Sequence, residues 1–214
     1  MDKPLLTDEQ ERILRALFAN EWIRAHMYLT GGTALSAFHY RHRDSDDLDL
    51  FTHGINIDPA IPAARDAARD LGLPVTAEAG TPSFRRLRIG DVRVDLVRDV
   101  DFRVGAPLLL GGIMVDNVKN IAVNKVCAIL GRIEPKDYVD LHFLLERERY
   151  DILELLALAQ HKDAGVNPFL WSEIIQAAEN LPALPRMTVP FEMETVRATF
   201  RALRDRILDS LRPT

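Results

Sequence analysis

Two adjacent glycines, Gly31 and Gly32, stand where the run Met27-Tyr28-Leu29-Thr30 meets the stretch GGTALSAFHY, and Asp47-Leu48-Asp49-Leu50-Phe51 follows closely behind. The first run reads as a short strand and the second as a helix. Glycines at such a junction let the backbone approach an anion while the first free N–H groups of the helix point at it. In the segment that follows, a strand's period of two sends Asp47 and Asp49 to one face and Leu48 and Leu50 to the other. Carboxylates two residues apart lie roughly 6.6 Å apart along a strand, near enough to share divalent ions spaced about 3.5–4 Å apart. Hard oxygen ligands point to Mg²⁺, completed by water and phosphate oxygens. A D-x-D alone often does no more than decorate a strand end or turn. Beside a glycine turn it points to phosphoryl transfer.

A third acid comes from Val92-Arg93-Val94-Asp95-Leu96-Val97, where Val92, Val94 and Leu96 share a face and leave Asp95 opposite with Arg93. If this strand pairs near the first, Asp95 joins Asp47 and Asp49 as a metal bridge or general base. Otherwise it is a surface aspartate paired with Arg93 or Arg98. Lys125 falls in the apolar stripe Val118, Ile121, Ala122, Lys125, Ile129 of an expected helix. An unpaired buried ammonium is unfavourable, so Lys125 snorkels out, meets a nucleotide phosphate, or pairs with Asp137 or Asp140. Asp137 sits one turn ahead of Asp140 in a helix that opens on Pro135, where a carboxylate suits the positive end. Asp140 shares a face with Leu141 and Leu144, which suggests that it orients Lys125, binds ribose or base, or assists an acceptor hydroxyl.

The chain has 214 residues, 47% of them hydrophobic and 7% aromatic, as in an ordinary α/β protein. Its net charge of −5 argues against nucleic-acid binding over the whole surface. Basic runs remain at Arg41-His42-Arg43 and Arg85-Arg86-Leu87-Arg88, with Arg98 and Arg103 nearby. They can meet an RNA end or a triphosphate, or stand as solvated faces. The opening MDKPLLTDEQ is no secretory signal, and the apolar residues 106–115 are too short to span a bilayer. One cysteine, Cys127, fits a cytoplasmic core position.

Thr7-Asp8-Glu9-Gln10 is a capping box for a first helix. Further helices are expected over residues 58–71, 117–130, 135–147, 152–160, 168–179 and 191–211, and strands over 84–89 and 92–97 joined at Gly90-Asp91. Residues 107–115 read as a loop and short strand. The last helix carries the stripe Met193, Val196, Phe200, Leu203, Ile207, Leu211, to be docked on its own core or a partner chain. The fold expected is α+β: a catalytic core of mixed sheet with flanking helices over 1–115, then a helical C-terminal domain over 116–214 that contributes to the site.

With these residues in view, the chain resembles the polymerase-beta-like nucleotidyltransferase superfamily and, within it, the AbiEii/AbiGii toxin family. The resemblance rests on Leu29-Thr30-Gly31-Gly32-Thr33-Ala34-Leu35 with Arg43, Ser45 and Asp47 to Phe51, on Val94-Asp95-Leu96, on Lys125 to Ala128, and on Lys136 to Leu141. The gap from glycines to first aspartate exceeds the superfamily's usual length but suits this family. The resemblance implies Mg²⁺-dependent transfer of a nucleotide from an NTP, in some members to the 3′ end of tRNA, and a separate antitoxin. On that basis Gly31, Gly32, Thr33, Arg43, Ser45, Lys125 and Asp137 would bind the nucleotide. Asp47, Asp49 and Asp95 would hold metal, with Lys125 and Asp140 completing the catalytic set. Ser45 either caps the turn into the strand or is a modification site whose phosphate would repel NTP. A small-molecule nucleotidyltransferase and a non-catalytic nucleotide-binding module share these motifs; a phosphatase or glycosyltransferase shares only the D-x-D.

Overall fold

Strand β1 (Met27–Thr30) is buried along its whole length, and a strand with no solvated face belongs in the middle of a sheet. The structure, a computed structural model, describes residues 5–212. Residues 1–4 of the amino-terminal stretch and the last two of the expected C-terminal domain lie outside it. Around β1 are β2 (Asp47–His53), β3 (Val75–Thr81), β4 (Phe84–Ile89), β5 (Val92–Asp99), β6 (Leu108–Leu110) and β7 (Ile113–Val115), in the order β3-β4-β5-β2-β1-β7-β6. β2 runs antiparallel to β1 and parallel to β5, so the seven-stranded sheet is mixed.

The alternation expected of β2 is present: Leu48, Leu50 and Thr52 are buried, while Asp47, Asp49, Phe51 and His53 are half-buried. β4 and β5 form the expected hairpin, paired from Phe84↔Val97 to Ile89↔Val92 across Gly90. Residues 107–115 form a second hairpin, β6–β7, turning at Gly111-Gly112.

Helix α1 (Asp8–Ala19) starts at the capping box, with Thr7 Oγ1 accepting from Gln10 N at 3.1 Å and Thr7 N donating to Gln10 Oε1 at 2.9 Å. A short α2 (Glu21–His26) follows, capped by Asn20. Then come α3 (Gly31–Thr33), a π-helix over Ala34–Tyr40, and α4 (Ala60–Asp70). α4 buries Ala60, Ala63, Ala64, Ala67 and Ala68, small side chains that allow close approach to α1.

The chain divides between Asn117 and Val118 into two units. The second holds α5 (Val118–Gly131), α6 (Pro135–Glu148), α7 (Ile152–Gln160), α8 (Pro168–Ile174) with a 3₁₀ extension Ile175–Asn180, and α9 (Met193–Ser210). Its core is largely aliphatic, with Tyr138, Trp171 and Phe200 buried among the Ile, Leu and Val side chains. Tyr138 and Phe200 lie 4.7 Å apart between ring centroids, and the Trp171 indole donates to Val126 O at 3.1 Å, so its one polar atom is satisfied where it is buried. The α9 stripe packs into this unit through Val196, Phe200 and Ile207, while Leu211 stays exposed. Full burial of a side chain such as Phe200 contributes about 1.5–3 kcal/mol. Among the described residues, no helix is long and apolar enough to cross a membrane.

Candidate active site

Parallel pairing of β2 with β5 sets Asp49 directly beside Asp95, and Asp47 beside Arg93. Register partners project to the same face, so all three acids stand together on the side of the sheet opposite Leu48, Leu50, Val94 and Leu96. Adjacent like charges are unfavourable on a sheet. A cation therefore has a reason to be there.

Arginines stand beside Asp95 and Asp47. Arg86, opposite Asp95 on β4, makes a two-pronged ion pair with it: Nε to Oδ1 at 2.8 Å and Nη2 to Oδ2 at 2.6 Å. The hydrogen bond to Asp95 holds the Arg86 guanidinium above its ordinary pKa. Arg93 pairs with Asp47. Asp95 thus finds neither Arg93 nor Arg98 but a cross-strand partner. The alternation of Arg85-Arg86-Leu87-Arg88 carried the signal, since it places Arg86 and Arg88 on the face of Asp95.

The glycines are fitted to these residues. Gly31 has φ +70°, and a Cβ there would collide with the Asp49 carboxylate, with Cγ at 3.2 Å. A Cβ on Gly32 would collide with the Arg43 guanidinium and lie 3.1 Å from Ser45 Oγ. Thr33 Oγ1 is within hydrogen-bonding distance of Ser45 Oγ (2.8 Å) and of the Asp47 carbonyl. Arg43 is buried, with Nη1 donating to Asp44 O at 2.8 Å. Gly31, Gly32, Thr33, Arg43, Ser45, Asp47 and Asp49 therefore form one connected turn. Gln10 supports it from α1, its buried amide donating to Ser45 O at 2.9 Å. The capping box exposed Gln10 in the sequence, but only as a helix cap.

The helix expected after the glycines differs in kind: one α-turn passes into the π-helix, closed by Arg41 N donating to Ser36 O at 2.9 Å with Arg41 at φ 56°. Such an inserted residue is rare and frequent at functional sites.

Three carboxylates on adjacent positions of one face are a suitable donor set for a hard divalent ion. Among the described residues, no three His, Cys, Asp or Glu side chains are gathered closely enough to hold a metal. The arginine pairs explain this, since Asp47 and Asp95 are turned to their guanidinium partners. The register brings the three acids to one face, and the side chains of Asp47 and Asp95 pair with arginines there.

Lys125, Asp137 and Asp140 lie in the second unit as a buried cluster. Lys125 Nζ is 2.7 Å from Asp137 Oδ1 and 2.6 Å from Asp140 Oδ2. Arg132, which the sequence reading did not single out, adds Nε to Asp137 Oδ2 at 2.8 Å. Burial alone would push the Asp137 carboxyl up, but Lys125 and Arg132 outweigh it and hold it below the ordinary value. Of the alternatives for Lys125, the ion pair is formed, and with both acids.

A family model for the nucleotidyl transferase AbiEii toxin of type IV toxin–antitoxin systems matches residues 12–213. Uncharacterized protein aq_aa25 of Aquifex aeolicus (strain VF5) is 30% identical over 147 residues, covering 65% of this chain and 68% of that protein. Among solved structures, the MenT4 nucleotidyltransferase toxin Rv2826c of Mycobacterium tuberculosis H37Rv superposes with a TM-score of 0.65 at 17% identity, covering 94% of this chain and 82% of that one. JHP933 of Helicobacter pylori superposes with 0.59 at 20% identity, covering 96% and 94%. Such likeness speaks for a shared polymerase-beta-like fold.

Proposed function

Because the chain belongs to the AbiEii family of nucleotidyl transferase toxins, we propose that its first unit transfers a nucleotide from an NTP to an RNA hydroxyl, with Asp47, Asp49 and Asp95 as ligands of Mg²⁺. The observation that carries this reading is the register of Asp49 against Asp95, beside a glycine whose missing side chain leaves room for the Asp49 carboxylate. Bound Mg²⁺ would supply charge neutralisation at the α-phosphate and at the leaving pyrophosphate.

The chain's own residues have separate tasks. Gly31 and Gly32 keep side-chain bulk away from the triphosphate, and Thr33 and Ser45 hold the turn against the first strand acid. Arg43 fixes the back of that turn. Asp95 accepts the proton of the acceptor hydroxyl as its oxygen bonds to the α-phosphorus; the bond from that phosphorus to the bridging oxygen breaks, and pyrophosphate departs. For Lys125, Asp137 and Asp140 the nucleotide-facing roles rest on the family motif. The acceptor assigned is the 3′ end of tRNA, the partner a cognate antitoxin, and the compartment the cytoplasm. Phosphate on Ser45 would sit beside the acids and oppose NTP.

The test is to incubate the full chain with each α-labelled NTP and Mg²⁺, offering total RNA in one arm and small hydroxylated compounds in the other. Label at the 3′ end of tRNA supports the proposal. Label on the compounds alone would reassign the acceptor, and label on neither would contradict the proposed transfer.

A further inference from the structure

The pairing of Asp47 and Asp95 with arginines is imposed by the sheet. Arg86 and Asp95 are register partners on β4 and β5; Arg93 and Asp47 are register partners on β5 and β2. The register sets each guanidinium within reach of its carboxylate. Asp95 is 9% exposed at its side chain, Asp47 21%, and each arginine 32%, so both pairs are partly withdrawn from solvent. Neither arginine can be released by losing its charge, since guanidinium stays protonated at any working pH. A cation that takes the carboxylate competes with it directly.

Arg88 supplies an internal comparison. It lies on the same face, is the register partner of Arg93, and pairs with Glu78 of β3 instead of with one of the three acids. A cation placed there merely for net charge would behave like Arg88.

We propose that Arg86 and Arg93 are the resident counter-cations of the three-acid site, holding Asp95 and Asp47 in the absence of metal, and that a divalent ion binds only by displacing them. The inference rests on the proposed function, because it takes Asp47, Asp49 and Asp95 as the metal ligands. These two side chains set the metal affinity of the free protein low. They also keep neighbouring carboxylates from repelling one another while the site waits. Arg86 and Arg93 are positioning residues on this account.

The experiment uses the full chain without nucleotide, titrated with Mn²⁺ and read from the electron paramagnetic resonance signal of the free ion. Thermal melting with and without Mn²⁺ is followed in parallel. Arg86→Gln and Arg93→Gln should each bind Mn²⁺ about tenfold more tightly than wild type, the change expected when a charge-assisted competitor of roughly 1.4 kcal/mol is removed. Both should melt lower without metal and recover when it is added. Arg88→Gln, an equal change of charge, should bind as wild type does. Arg86→Lys keeps the charge without the two-pronged geometry and should fall between wild type and Arg86→Gln, which covers the case in which a glutamine variant does not fold.

Affinity in the Arg86 and Arg93 variants that equals or falls below that of wild type would overturn the inference, as would an equal gain in Arg88→Gln. Asp49→Asn introduced into each background separates the two readings. If it abolishes Mn²⁺ binding while the arginine variants match wild type, only the counter-cation role fails. If binding survives Asp49→Asn, the ion lies elsewhere, and the proposed metal site falls with it.

Discussion

Replacing Gly31 with alanine tests the site where fold and chemistry meet. The residue is held at φ +70°, where an L-side chain is disfavoured by about 1–2 kcal/mol. Over a chain of this size that loss lowers the melting midpoint by about 2–8 °C. The new methyl group also meets the Asp49 carboxylate, so Asp49 must move. A displacement of about 1 Å at a positioned catalytic group lowers the rate roughly 100-fold. Gly72→Ala separates the two effects, for Gly72 has φ +67° and nothing within 4 Å of its would-be Cβ. Both variants should lose comparable stability, and only Gly31→Ala should lose transfer of label from NTP. Melting curves and single-turnover rates on the same preparations decide the matter. Wild-type rates in Gly31→Ala, or an equal loss of rate in Gly72→Ala, would refute the idea that Gly31 exists to make room for Asp49.

Lys125→Met strips the ammonium from Asp137 and Asp140, both fully buried, and should destabilise the second unit by about 3–5 kcal/mol; a denaturation midpoint close to wild type would show that the cluster is not held by that charge. His142, with Nδ1 2.8 Å from Thr199 Oγ1, is held below its ordinary pKa by burial, against a smaller opposing pull from Glu146. In the unfolded chain it takes a proton as pH falls through 6.5, whereas the folded imidazole resists, so folding stability declines on acidification below that point. The melting midpoint should therefore fall more in wild type than in His142→Gln between about pH 7.5 and about pH 5.5, and parallel curves would rule out this source of the dependence.

What could be read from the chain was whatever repeats locally. Leu48 and Leu50 against Asp47 and Asp49, or Val92, Val94 and Leu96 against Asp95, declare their faces because one side of each strand is buried. The α7 boundaries follow from a single apolar block opened by Asp151, and α1 from its capping box. Strand β3 escaped notice because it is an edge of small and polar residues, exposed along nearly its whole length, with no alternation to read. α2 is too short to show a period, and the π-bulged turn depends on one extra residue that composition does not signal. Within the site, the separation of the two glycines from Asp49 is local and was legible. Arg86 opposite Asp95 had a signal in the expected hairpin about Gly90-Asp91. The pairing of Asp95 with Asp49 and of Arg93 with Asp47 had none, because parallel pairing joins segments separated by a helix and a hairpin and its register is a property of the assembled sheet.

The most direct measurement is transfer of α-labelled nucleotide to total RNA by wild type and by Asp49→Asn, each with Mg²⁺ and with the ion chelated, on samples shown by melting to be folded. The account predicts labelled RNA from wild type with Mg²⁺ alone, and none from Asp49→Asn in either condition. Label incorporated by folded Asp49→Asn at the wild-type rate, or by wild type after chelation, would contradict it.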